Sequence, residues 1–133
     1  MVGWSSGIVL QEVWATPPAP FEFEANPDPS NLMTQVIPGA TRWIMTEIPA
    51  DSATASAPVV HATNSVDFVT VVSGSVDLIT ADRTVELGPG DCVVQLGAEH
   101  AWQNRGSAPC VMSVIMLGTD WTATGQETGT VET

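Results

Sequence analysis

The sequence predicts an antiparallel β-sandwich or barrel with little helix. Its apolar residues fall in short runs rich in Val, Ile, Thr and Trp. Those runs are separated by Gly, Pro, Asp, Asn and Ser, the residues that make turns. No long stretch carries the helical period, so nothing supplies the crossover helices of a parallel sheet.

The first strand candidate is 8–14. Five prolines follow between residues 15 and 30 (Pro17, Pro18, Pro20, Pro27 and Pro29), which suits an irregular arm rather than a sheet strand. Strands are expected at 32–36 and 41–48, with Pro38 and Gly39 turning the chain between them. A small, polar surface loop spans 49–58. Strands then come quickly, at 59–63, 66–72, 76–80, 83–87, 92–96, 101–104 and 110–117, joined by tight turns such as Gly88-Pro89-Gly90-Asp91. The tail 122–133 is Thr, Gly and Glu with little apolar content and is expected to fray. The organisation expected is one domain over 1–121: an N-terminal strand and proline-rich arm over 1–31, a barrel over 32–121, then the flexible tail.

Three arginines, no lysine and fifteen acidic residues give a net charge of −12. That argues against nucleic acid and anionic membranes as partners, since both need a basic patch. It excludes lysine chemistry, and the absence of tyrosine excludes a phenolic proton donor. Cys92 and Cys110 sit in apolar runs and read as reduced strand residues. There is no apolar run of the ~18 residues a spanning helix needs, and no basic-then-apolar leader. A cytoplasmic protein is the expectation.

The two histidines are the candidates for chemistry. Alternation along a strand puts His61, Thr63, Ser65, Asp67, Val69 and Val71 on one face, and His100, Trp102 and Asn104 on another. Glu99, beside His100, points the other way and reads as surface. Arg42 and Arg105 read as surface salt-bridge partners, and Trp4, Trp14, Trp43 and Trp121 as core or interface aromatics. Asp67 taken alone would also suit a turn or a sheet edge.

The stretch 61–104 resembles the two motifs of the cupin superfamily. The first motif, His-x-His, then Glu, then Gly, reads here His61-Ala62-Thr63, three residues, Asp67, six residues, Gly74. The second opens at Gly90 and closes with His100 and Asn104. Three positions depart from the pattern. Thr63 stands for the second histidine, Asp67 for the glutamate, and Leu96-Gly97 for a longer Pro-x-Gly. The resemblance covers roughly residues 41–117. It implies a jelly-roll barrel (a double-stranded β-helix) and, commonly, a homodimer formed through the N-terminal strand and arm.

The resemblance also implies a metal. Three histidines and a glutamate would bind it in the family; here His61 and His100 match, and Asp67 is a conservative replacement at a third position. Two imidazoles and a carboxylate are the set found in non-haem iron enzymes, and zinc, manganese, nickel or cobalt suit it as well. Thr63 would be a weak ligand or hold water, with Glu47 or Gln95 as replacements from elsewhere in the chain. Ser65 and Asn104 are expected to orient the ligands, and Trp102, Phe68 and Met112 or Met116 to line the pocket. The resulting expectation is an enzyme acting on a small aromatic, enolic or polyketide-like molecule, by O₂-dependent cleavage, decarboxylation, dehydration, cyclisation or isomerisation. The alternatives are a metal-independent acid–base enzyme using His61 or His100 with Asp67, and a binding module without chemistry.

Overall fold

The computed structural model describes residues 2–3, 7–20, 37–51, 62–120 and 130–132. Within them the chain forms strands β1 (Val2–Gly3), β2 (Val9–Thr16), β3 (Thr41–Ile48), β4 (Ser65–Ser73), β5 (Val76–Thr80), β6 (Thr84–Leu87), β7 (Cys92–Leu96), β8 (His100–Gln103), β9 (Cys110–Gly118) and β10 (Thr130–Glu132). They make two antiparallel sheets, ordered β1-β2-β3-β9-β4-β7-β10 and β6-β5-β8. The all-β expectation therefore holds, and no helix among the described residues is long and apolar enough to cross a membrane.

Alternation explains why these segments pair as they do. Along β3, Arg42, Ile44, Thr46 and Ile48 are buried while Trp43 and Glu47 are exposed. Along β4, Ser65, Asp67, Val69 and Val71 are buried, and Phe68, Thr70 and Val72 are exposed. Register aligns the inward sets into rows. One runs Val93–Val69–Val114–Ile44, and the next Gln95–Asp67–Met116–Arg42. The first row is wholly aliphatic and buried, each side chain contributing about 1.5–3 kcal/mol by leaving water. The second row is where polar groups enter the barrel.

A bulge between Glu12 and Trp14 adjusts β2 to this pattern. Glu12 stays in register with Ile44, while Trp14 comes opposite Trp43 and the small Ala15 opposite Arg42.

Gly74, in the turn from β4 to β5, has φ +75°. A Cβ there would lie 2.4 Å from the Pro109 carbonyl oxygen, so the closeness of this turn to the start of β9 requires glycine.

Some expectations change. Ala62 and Thr63 precede β4 rather than forming a strand, and 59–61 and 32–36 lie outside the described residues. Residues 130–132, expected in the fraying tail, pair with the backbone of β7 as β10. Trp43 is a surface residue, 40% exposed, whose indole N–H donates to Ser113 Oγ at 2.9 Å. Trp4 and Trp121 lie outside the described residues.

Candidate functional site

The inward face of β4 places Asp67 inside the barrel, 6% exposed. Ser65, two residues earlier on the same face, donates its hydroxyl to Asp67 Oδ1 at 2.5 Å. Having spent its hydrogen there, Ser65 accepts from Thr63, whose Oγ1 lies 2.7 Å from Ser65 Oγ. Thr63 Oγ1 also lies 3.4 Å from Asp67 Oδ2. The chain Thr63–Ser65–Asp67 thus holds the carboxylate in one orientation.

His100 opens β8, opposite Thr80 of β5. The tight turn before it includes Gly97, at φ +79°. That turn brings the Ala98 carbonyl to 2.8 Å from His100 Nδ1. A carbonyl oxygen only accepts, so Nδ1 carries the hydrogen and the neutral ring has its lone pair on Nε2. Trp102, two residues on, meets the imidazole edge to face at a centroid distance of 6.0 Å and an angle of 75°.

Thr63, Asp67, His100 and Trp102 line one cavity, with about 560 Å³ of atom-free space including its open mouth. Its polar lining comes from Arg42, Thr46, Thr63, Asp67, Gln95 and His100. Its walls are otherwise apolar, with Trp102, Met112 and Met116 among them. The structure therefore brings Asp67, His100, Thr63 and Trp102 together. His61 lies outside the described residues. Among the described residues no three His, Cys, Asp or Glu side chains gather into a metal-holding group. Asp67 and His100 nevertheless fit metal ligation. The carboxylate is oriented by hydroxyls, and the imidazole has its Nδ1–H fixed by a carbonyl, as ligating histidines usually do.

Two expectations about the site fail, one about the lining and one about ligand orientation. Phe68 follows Asp67 and so faces outward, 45% exposed. Asn104 is fully buried but works on the backbone. Its Nδ2 donates to the carbonyls of Ile48 at 3.0 Å and Ala108 at 2.8 Å, and its Oδ1 accepts from Gly106 N–H at 2.9 Å. It locks the loop into β9 and is not among the described cavity-lining residues.

Two groups at the site differ from their expected roles. Arg42 is buried, not a surface cation; its Nε donates to Glu12 Oε2 at 2.9 Å and its Nη2 to Glu12 Oε1. Burial lowers the guanidinium pKa. Arg105, by contrast, is the exposed ion-pair partner expected, donating from Nε to Asp77 Oδ2 at 2.6 Å. Gln95 is 2% exposed and lines the cavity, and among the described residues its Nε2 has no hydrogen-bond partner. A buried, unmatched amide costs about 1–3 kcal/mol. Parity was the available signal: Arg42 alternates with Ile44 and Ile48, and Gln95 with Val93, so both belong to inward rows.

Comparison with known proteins places this geometry. The family model described as cupin domain matches residues 45–116, over half of the chain. No curated protein matches the chain. Among solved structures, the fold is similar to the cupin domain of an XRE family transcriptional regulator from Enterobacter cloacae. The identity is 15%, with 85% of this chain and 98% of that chain covered at a TM-score of 0.55. It is also similar to KdgF from a Halomonas species, at 15% identity, 83% and 80% coverage and a TM-score of 0.54. A cupin 2 conserved barrel domain protein from Salinispora arenicola is 11% identical, with 85% and 77% coverage and a TM-score of 0.55.

Proposed function

The chain belongs to the cupin family, and from that premise we propose that it is an enzyme acting on a small oxygenated organic molecule at a divalent metal held by His61, Asp67 and His100. The observation that supports this reading is that Asp67 and His100, from different sheets, line one cavity, each with its orientation fixed by a hydrogen bond. Iron, zinc, manganese or nickel, when bound, would supply Lewis-acid polarisation of a carbonyl or enol. The chain's own groups do the rest. Ser65 and Thr63 keep Asp67 oriented, the Ala98 carbonyl keeps the His100 lone pair on Nε2, and Trp102, Met112 and Met116 keep water from the walls.

Elemental analysis of the purified protein beside His61→Ala and His100→Ala tests the reading. Near-stoichiometric transition metal, lost in both variants, is the expected result. No metal after reconstitution would overturn it. The second reading, a metal-independent acid–base site, would then stand, favoured by the hydroxyl chain Thr63–Ser65–Asp67 occupying the place of the family's second histidine.

We also propose a cytoplasmic homodimer. The two free cysteines and net charge of −12 suit a reducing compartment and a protein that binds neither nucleic acid nor anionic membrane. The outer face of the large sheet supports self-association, because Trp43, Ile115 and Phe68 lie in register and are 40%, 42% and 45% exposed. Sedimentation of Phe68→Asp beside the unaltered chain tests it: a dimer converted to a monomer is expected, and a ~14 kDa monomer in both cases would remove the proposal.

A further inference from the structure

We propose that Gln95 is the group that orients the ligand, donating a carboxamide hydrogen bond to a carbonyl oxygen of a neutral molecule whose adjacent O–H or N–H faces Asp67. The proposal rests on the reading above in placing the ligand beside Asp67, but it does not require a metal.

Three observations carry it. Gln95 is buried and lines the cavity, and among the described residues its Nε2 has no partner. Buried amides are nearly always satisfied, so an unmatched donor on a cavity-lining side chain marks where a carboxamide turned to the cavity would take its acceptor from another molecule. Second, Gln95 and Asp67 are direct register partners across β7 and β4. Opposed side chains start about 4.5–5.5 Å apart, so one small molecule reaches both. A donor beside a carboxylate acceptor is complementary to an acceptor beside a donor. Third, the arginine of this row is charge-matched by Glu12, and the walls are largely apolar. An anionic ligand would meet the negative Asp67, whereas a neutral one with an apolar body suits the whole lining. The class is therefore a hydroxy-carbonyl compound, an enolised dicarbonyl or a lactam.

The probe pair 2-pyridone and N-methyl-2-pyridone separates these contacts. Both have a ring and a carbonyl, and methylation removes the N–H. Binding is measured by NMR titration on the full chain as purified and after chelation, for the unaltered protein, Gln95→Met and Asp67→Asn, with melting temperature and metal content recorded. The expected result is that 2-pyridone binds the unaltered chain about tenfold tighter than its N-methyl analogue. Gln95→Met should lower 2-pyridone affinity by about tenfold or more. Its melting temperature without ligand should be unchanged or higher, because an unmatched amide has been removed. Asp67→Asn should erase the preference over the N-methyl probe. Equal affinity in Gln95→Met, no 2-pyridone binding by the unaltered chain, or a lower melting temperature for Gln95→Met would each overturn the proposal. The last would mean that a structural water satisfies the amide. Failure of the metalloenzyme reading shows separately, as absent metal in every version with the pyridone result intact.

Discussion

Ser65 Oγ stands 2.5 Å from Asp67 Oδ1, on the same buried face of β4 and two residues away. The bond is local in sequence, yet it aims a carboxylate into a cavity built by both sheets. Hydroxyl-to-carboxylate bonds of this length are charge-assisted and strong. Ser65→Ala should therefore destabilise the fold by about 1–3 kcal/mol, measured by urea unfolding. If Asp67 ligates a metal, the same change should weaken metal affinity by about 10–100-fold, measured by competitive titration. A metal affinity unchanged in a folded Ser65→Ala protein would show that Asp67 is not a ligand oriented by this bond.

The Arg42–Glu12 pair makes a different prediction. Removing one partner of a buried ion pair weakens the compensation of the charge left behind, at a cost of up to about 3–5 kcal/mol. Glu12→Gln should thus be far more damaging than an exposed substitution such as Glu86→Gln, which should fall within about 0.5 kcal/mol of the unaltered chain. Replacing both partners, as Glu12→Leu with Arg42→Met, should recover much of the loss. Denaturant midpoints of the four proteins decide the point.

Cys110 is fully buried, and burial raises its thiol pKa from 9.0 to about 11. A raised pKa means that the fold favours the neutral thiol. Its contribution to stability is whole below pH 9.0 and is lost as pH climbs through about 11. Stability measured across that window should fall less steeply in Cys110→Ala than in the unaltered chain. At neutral pH a thiol reagent should modify the half-buried Cys92 first, and Cys110 after unfolding.

Gly74→Ala should be costly for reasons of backbone alone. The φ of +75° is one that side chains rarely adopt, at about 1–3 kcal/mol, and the new Cβ would press on the Pro109 carbonyl. A lowered melting temperature, with Gly90→Ala milder, is expected. At Gly90 φ is also positive, but a Cβ would meet no other atom within 4 Å.

Much of the fold was legible because β3, β4 and β9 alternate cleanly over eight or nine residues each. Period-two burial shows directly in such segments, and it put Asp67 inside the barrel. It does not reveal partners. That β9 lies between β3 and β4 depends on long-range packing that no local pattern encodes. The misreadings have separate causes. Arg42 reads as a surface cation because arginine usually is one; its bonding to Glu12 across the bulged β2–β3 pair is a feature of pairing. Asn104 occupies a motif position, but its amide is committed to three backbone groups, two in the loop before β9 and one at the end of β3. Phe68 follows Asp67 along β4 and so takes the outward face, not the pocket side expected of it. Gln95 reads from sequence as a substitute ligand, while its register with Asp67 is set by the β4–β7 pairing, which no local pattern encodes.

The row of Trp43, Ile115 and Phe68 has a kinetic consequence for a chain of net charge −12. Two copies approaching one another repel at long range, whatever their orientation, and attract only once these uncharged faces meet. Added salt shortens the repulsion, to a Debye length of about 8 Å at physiological ionic strength, and leaves the apolar attraction intact. Assembly through this face would then run opposite to the usual rule for steered encounters: association would accelerate as ionic strength rises, and dissociation would change little.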